Sequence, residues 1–300
     1  MTPLDEAPAP TATADAPVAL PGSVQFDLAS KISGRTYRIF VYQPLIPAPP
    51  EGYPVITVTD GNMNFALAMV MGHMFSFQAK PALVVGVGYP TNAPADLMHL
   101  RVRDMTPETP LENVQQSPGL PDPLPENYGG AELFRRFLVE ELRPAIAARW
   151  QVDANDQTLY GYSLGGLFTL VSLFADPTAF KNFVAASPSI WWNDRAVLTH
   201  EAEFARRVEA GEIAPRVLVT IGQFEQDPPK VPPPGMTPQA VAELVARGRM
   251  VDNARELGSR LAALKGHAGY EGCFHLFEGE DHLSAMAAAM GRAVDFALRP

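Results

Sequence analysis

With 300 residues, 47% of them hydrophobic, the chain is long enough to bury both faces of a central sheet in a single domain. A formal net charge of -10 excludes the basic footprint that nucleic-acid binding needs, and no apolar run reaches the length of a membrane span. The one cysteine, Cys273, rules out an internal disulfide and reads as a small buried hydrophobe in a strand.

Residues 1–22 are rich in Pro, Ala and Thr, and lack the basic start and apolar centre of a secretory signal. They are expected to form a flexible tail on a cytoplasmic protein, followed by one domain over residues 23–300. VQFDLASKISGRTYRIFVYQP predicts two antiparallel strands around a Ser33-Gly34 turn, with Tyr37, Ile39 and Val41 alternating along the second. YPVITVTDG predicts a strand ending at Asp60-Gly61-Asn62. Phe65 to Gln78 suits a buried helix, and PALVVGVGYP another buried strand. Apolar runs separated by helix-length segments predict βαβ units and a mostly parallel sheet.

Residues 91–127 break the pattern. They are rich in Pro, Asp and Glu without a steady period, and predict an irregular insert that is either disordered or a functional loop forming part of the wall or lid over the site. A helix follows over Gly130–Trp150, with Phe134, Phe137, Leu138, Leu142 and Ile146 at helical spacing and a kink expected at Pro144. QTLYGY and FKNFVAASPS read as core strands around the helix LFTLVSLFADP. Glu201–Glu209 is a short helix, and PRVLVTIGQFEQ a strong strand. KVPPPG is a second insert, and Thr237–Leu264 a helix in two pieces around Gly248 or Gly258. YEGCFHLFEGEDH supplies the last strand, and Leu283–Leu298 the closing helix.

The chemistry centres on Gly161-Tyr162-Ser163-Leu164-Gly165, with Gly166 after it. A serine between two glycines, after a strand and before an apolar helix, fits the nucleophile elbow of the α/β-hydrolase fold. The glycines permit a strained strand-to-helix turn that lifts the hydroxyl clear, and the helix N-terminus supplies amides for an oxyanion. Serine needs an adjacent base. Of six histidines, His282 alone sits just beyond the last core strand, where the order serine, acid, histidine places the base. The acid belongs after the strand between them. Glu225 meets that condition, Asp227 competes, and Asp252, Glu280 and Asp281 are weaker rivals.

Two backbone donors complete the expected oxyanion hole: the amide of Leu164, and that of Gly61 or Asn62 in the TVTDGN turn. Trp191 or Trp192 is expected to line the substrate pocket, because both follow a core strand at the edge that carries the site. Arg101 and Arg103 are candidates for an acidic or phenolate-bearing substrate, or for ion pairs that tie the insert down.

Together VTDGN, RVRDMTP, GAELFRRFLVEELRP, GYSLGGLF, ASPSIWW, IGQFEQ and GEDHLS resemble the esterase branch of the α/β hydrolases that includes the ferric-siderophore esterases related to enterobactin and bacillibactin hydrolases. The likeness runs from about Gln25 to the C-terminal helix. It implies cleavage of carboxylic esters, with Ser163 and His282 matching the branch's nucleophile and base, and Glu225 matching a glutamate often present in its G-x-x-E stretch. The expected partner is a small-molecule ester, with no metal, cofactor, nucleic acid or membrane; the oligomeric state stays open. The rival readings are a peptidase or acyltransferase on the same fold, and a non-catalytic binding protein that retains it.

Overall fold

The structure is a computed structural model that describes residues 19–114, 120–229, 231–232 and 235–299. Most of the expected tail, and Lys230, Pro233 and Pro234 of the second insert, lie outside the described residues.

In chain order the elements are β1 (Ser23–Ala29), β2 (Thr36–Tyr42), β3 (Tyr53–Val58), α1 (Gly61–Phe75), β4 (Leu83–Gly88), α2 (Pro94–Met105), α3 (Ala131–Arg136), α4 (Arg143–Ala147), β5 (Val152–Tyr162), α5 (Leu164–Ala175), β6 (Asn182–Ala186), α6 (Glu201–Glu209), β7 (Arg216–Gly222), α7 (Pro238–Gly248), α8 (Met250–Ala263), β8 (Glu271–Phe277) and α9 (Ala285–Leu298). The strands form one sheet in the order β1-β2-β4-β3-β5-β6-β7-β8. β1, β2 and β4 pair antiparallel, and every other neighbour is parallel. This is the doubly covered α/β-hydrolase architecture expected from the sequence.

The central strands lack polar alternation because both faces are buried. In β4, Leu83, Val85 and Val87 join the cluster under α3, α5 and α8, while Val84 turns to the opposite cluster under α1 and α9. The parallel strands all end at one edge. The loops leaving β5, β7 and β8 there carry Ser163, Glu225 and His282, the usual ligand edge of an open α/β sheet.

Two expectations are corrected, and one left between two positions is resolved. The insert is not irregular throughout: Pro94–Met105 is a twelve-residue helix, with short 3₁₀ turns at Leu111–Asn113 and Pro125–Asn127. Its buried face includes Arg101 and Asp104 beside Val102 and Met105, so the helical period was hidden by two charges at core positions. The kink expected at Pro144 is a π-helical segment, Phe137–Leu142, between α3 and α4. Pro144 lies just past it, where an α-helical amide would have bonded the Glu140 carbonyl. The α7–α8 helix breaks at Gly248-Arg249, where Arg249 takes a left-handed φ of 42°. Gly258 stays inside α8, and its glycine answers packing, since a Cβ there would meet the Phe274 ring at 2.7 Å. No helix among the described residues is long and apolar enough to cross a membrane.

Candidate active site

Ser163 joins β5 to α5 with φ 62° and ψ -115°, an unfavourable conformation for a side chain larger than glycine. The surroundings hold it there. The Ser163 amide donates to the Ala186 carbonyl at 3.0 Å, and the Ser163 carbonyl accepts from Ser189 N–H at 3.1 Å. A Cβ on Gly161 would lie 1.9 Å from the Gly165 carbonyl oxygen, and one on Gly166 would lie 2.6 Å from that of Ala186. Gly161 and Gly166 are therefore required by close backbone approach, and the turn lifts the Ser163 hydroxyl into the cavity.

His282 Nε2 lies 3.2 Å from Ser163 Oγ, and His282 Nδ1 lies 2.5 Å from Glu225 Oε2. With Nδ1–H donating to the carboxylate, Nε2 is left to accept from the serine hydroxyl. Glu225 is fixed from its other side: Ser187 Oγ donates to Oε1 at 2.6 Å, and the Gly222 amide donates to it at 2.7 Å. Its side chain is fully buried, while that of His282 is 43% exposed. A buried carboxylate with three donors is both satisfied and immobile. Tyr162 Oη donates to the His282 carbonyl at 2.7 Å, which ties the histidine loop to β5.

The rival acids have other tasks. Asp281 accepts from the Leu283 and Ser284 amides at 2.9 Å each, ahead of α9. Asp252 accepts from Gln226 and Arg249. Neither Asp227 nor Glu280 bonds the imidazole.

A cavity of about 330 Å³ opens over Ser163, Leu164, Glu225 and His282. Its wall is mostly apolar, drawn from Met98 and Leu120 of the first insert, Trp191 and Trp192, and Leu244, Val245 and Met250. Trp191 is half-buried. Trp192 is buried, with Nε1 donating to Thr109 Oγ1 at 2.9 Å and its ring stacked on Tyr128. The insert thus contributes to the wall directly and braces it through Thr109.

The two arginines part company. Residues two apart on a helix point about 200° apart, so α2 cannot aim both at one cavity. Arg101 lines it, with its guanidinium clamped on Asp60: Nε to Oδ1 at 2.8 Å and Nη2 to Oδ2 at 2.9 Å. Arg103 is not among the lining residues; it donates to the Glu126 carbonyl and anchors the end of the insert. The expectation of Arg103 in the pocket is corrected accordingly.

Gly61 and Asn62 open α1, where amides have no intrahelical acceptor. Neither lines the main cavity. Asn62 lines a small adjoining cleft that shares Arg101 with it, and its side chain bridges the Tyr89 amide and the Tyr89 and Thr91 carbonyls. The sequence reading missed Ser187 and the α7 wall. Ser187 follows β6, the strand between those that deliver Ser163 and Glu225, and that placement was its only signal.

The family profile described as "Putative esterase" matches residues 30–235. The chain is 36% identical over 289 residues to the ferri-bacillibactin esterase of Bacillus subtilis, covering 94% of this chain and 91% of the relative. It is 32% identical over 295 residues to the siderophore triacetylfusarinine C esterase of Aspergillus fumigatus, covering 93% and 94%. The crystal structure of the BES protein from Bacillus cereus superposes with a TM-score of 0.81 at 31% identity, covering 96% of this chain and all of that one. The chain therefore belongs to this esterase family of the α/β hydrolases, whose characterised members are ferric-siderophore esterases, and is a serine-dependent hydrolase of carboxylic esters.

Proposed function

We propose that Ser163, His282 and Glu225 are the catalytic triad of a siderophore-type esterase. The unbroken hydrogen-bonded chain from Ser163 through His282 to Glu225, at the base of an apolar cavity, carries this reading. His282 takes the Ser163 proton through Nε2 as Oγ attacks the ester carbonyl. Glu225 holds the tautomer and stabilises the imidazolium. The oxyanion is received by the Leu164 amide at the start of α5, with the second donor the amide of Gly61 or Asn62 at the start of α1. His282 returns the proton to the leaving alcohol, and an acyl-Ser163 remains. A water deprotonated by His282 then releases the acid.

The names of the relatives support a siderophore ester as the substrate. The wall of Met98, Leu120, Trp191, Leu244 and Val245 offers apolar surface to large acyl or aromatic groups. The test is a hydrolysis panel with products resolved by chromatography: p-nitrophenyl acetate, bacillibactin and triacetylfusarinine C with and without iron, a peptide and a thioester. Cleavage of at least one siderophore ester with kcat/KM well above that for the acetate is expected. Turnover of the acetate with both siderophores left intact would remove the siderophore reading and keep the esterase.

A further inference from the structure

The Asp60–Arg101 pair sits where a lone carboxylate would harm the reaction. Asp60 follows β3 in a left-handed conformation, φ 54° and ψ 45°, and its side chain makes no capping bond to α1. The carboxylate turns toward α5 instead: a methyl group on Gly165 would rest 3.5 Å from Asp60 Oδ2. The first turn of α5 is where the Leu164 amide is expected to meet the oxyanion. Helix N-termini attract anions, so a resident carboxylate there competes with the charge that develops in the transition state. Asp60 is 4% exposed and Arg101 9%, so water screens neither well. The two-pronged contact at 2.8 and 2.9 Å occupies Nε and Nη2 of Arg101, and Nη1 has no hydrogen-bond partner among the described residues. Arg101 also lines the cavity beside Ser163 and Leu164.

We infer that Arg101 is a positioning residue for ester hydrolysis: it neutralises Asp60 and fixes the β3–α1 turn, keeping the oxyanion side of the cavity electropositive. This rests on the reading of Ser163 and Leu164 given above. An acidic side chain suits position 60 because it tolerates the left-handed turn and anchors the cation there. Arg101→Met keeps the volume and removes the charge, leaving a buried carboxylate near the oxyanion. At the separation of neighbouring side chains this amounts to about 50- to 100-fold in kcat. Asp60→Asn keeps the left-handed turn, since asparagine adopts it as readily.

The experiment measures kcat, KM and melting temperature with p-nitrophenyl acetate for Arg101→Met, Arg101→Lys, Asp60→Asn, Asp60→Asn/Arg101→Met and Ser163→Ala. Arg101→Met is expected to lose about 50- to 100-fold in kcat with KM within about threefold. Adding Asp60→Asn is expected to recover about tenfold or more, and Arg101→Lys to lie between, because lysine keeps the charge without the fork. A double variant no more active than Arg101→Met would overturn the inference, as would Arg101→Met within threefold of wild type. A purely structural pair would lower the melting temperature and kcat of the two single variants alike, without recovery in the double. Activity surviving in Ser163→Ala would instead remove the reading of the nucleophile, so the two failures are distinct.

Discussion

The relay of Ser163, His282 and Glu225 and the wall that faces it are built on opposite plans. Each relay residue leaves the end of a parallel strand; Ser163 and Glu225 are held by bonds to their own or the adjacent strand, Ser163 to Ala186 and Glu225 to Gly222 and Ser187, and His282 by the Tyr162 hydroxyl at the end of β5. The wall comes from α2, the loop beyond it, the Trp191-Trp192 turn and the α7–α8 break, and is braced by side chains distant in sequence. Trp192 leans on Thr109, Arg101 on Asp60, and Tyr89 on Asp104. Reactive groups on rigid strand ends beside a wall of longer reach allow substrate choice to change while the chemistry stays fixed.

The largest effect belongs to the relay. Ser163→Ala and His282→Ala are each expected to lower kcat for p-nitrophenyl acetate by about 10³-fold or more with unchanged circular dichroism, since under the proposed triad they remove the covalent nucleophile or its base and with it the chemical route. Ser163→Ala retaining a tenth of wild-type turnover would place the chemistry elsewhere and dissolve the contrast.

Glu225→Gln comes next. The glutamine amide must present N–H₂ either to the Ser187 and Gly222 donors or to His282 Nδ1–H. One hydrogen bond becomes a clash of donors, or the imidazole takes the wrong tautomer. A loss of about 10²-fold or more in kcat is expected, smaller than for Ser163→Ala. Equal activity in Glu225→Gln, with a large loss in Asp227→Asn, would transfer the acid role to Asp227.

The contrast also explains what the sequence could tell. Strand ends are legible because the sheet is written in short apolar runs and the elbow in glycines, and Ser163, Glu225 and His282 each follow such a run. The wall is not, because its elements are defined by partners. α2 looked irregular because Arg101 and Asp104 occupy core positions that partners from elsewhere, among them Asp60, Arg35 and Tyr89, make tolerable. The α7–α8 helix was visible, but which of its side chains meet the cavity depends on the left-handed turn at Arg249. Gly248 marked the break, but not that its non-glycine neighbour Arg249 takes the left-handed conformation. The π-helical segment likewise left no mark beyond Pro144.

The smallest effect tests how the wall is braced, and it shows in stability more than in turnover. Asp104 lies on α2 three residues past Arg101 and is 2% exposed. Tyr89 Oη donates to it at 3.2 Å, while Arg35 stands off at 3.8 Å and is partly solvated. Burial outweighs these partners and pushes the Asp104 carboxyl up to about 6, from an ordinary 3.8. The folded protein therefore holds this proton more tightly than the unfolded chain does. Its contribution to stability is fully present below about pH 4, and is lost as the pH rises through 6. From the size of the shift, the loss approaches about 2–3 kcal/mol. Asp104→Asn has no proton to lose and keeps an acceptor for Tyr89, so its stability does not pass through this step. Urea unfolding of both proteins at pH 4, 5, 6 and 7 is expected to show wild type losing ground to Asp104→Asn steadily between pH 4 and 6, and little afterwards. A gap that stays constant over that range would mean that Arg35 closes on the carboxylate in solution and that α2 is held by an ion pair. Asp104 would then brace the wall in the same way as the Asp60–Arg101 clamp, and the wall would carry two such clamps along one helix.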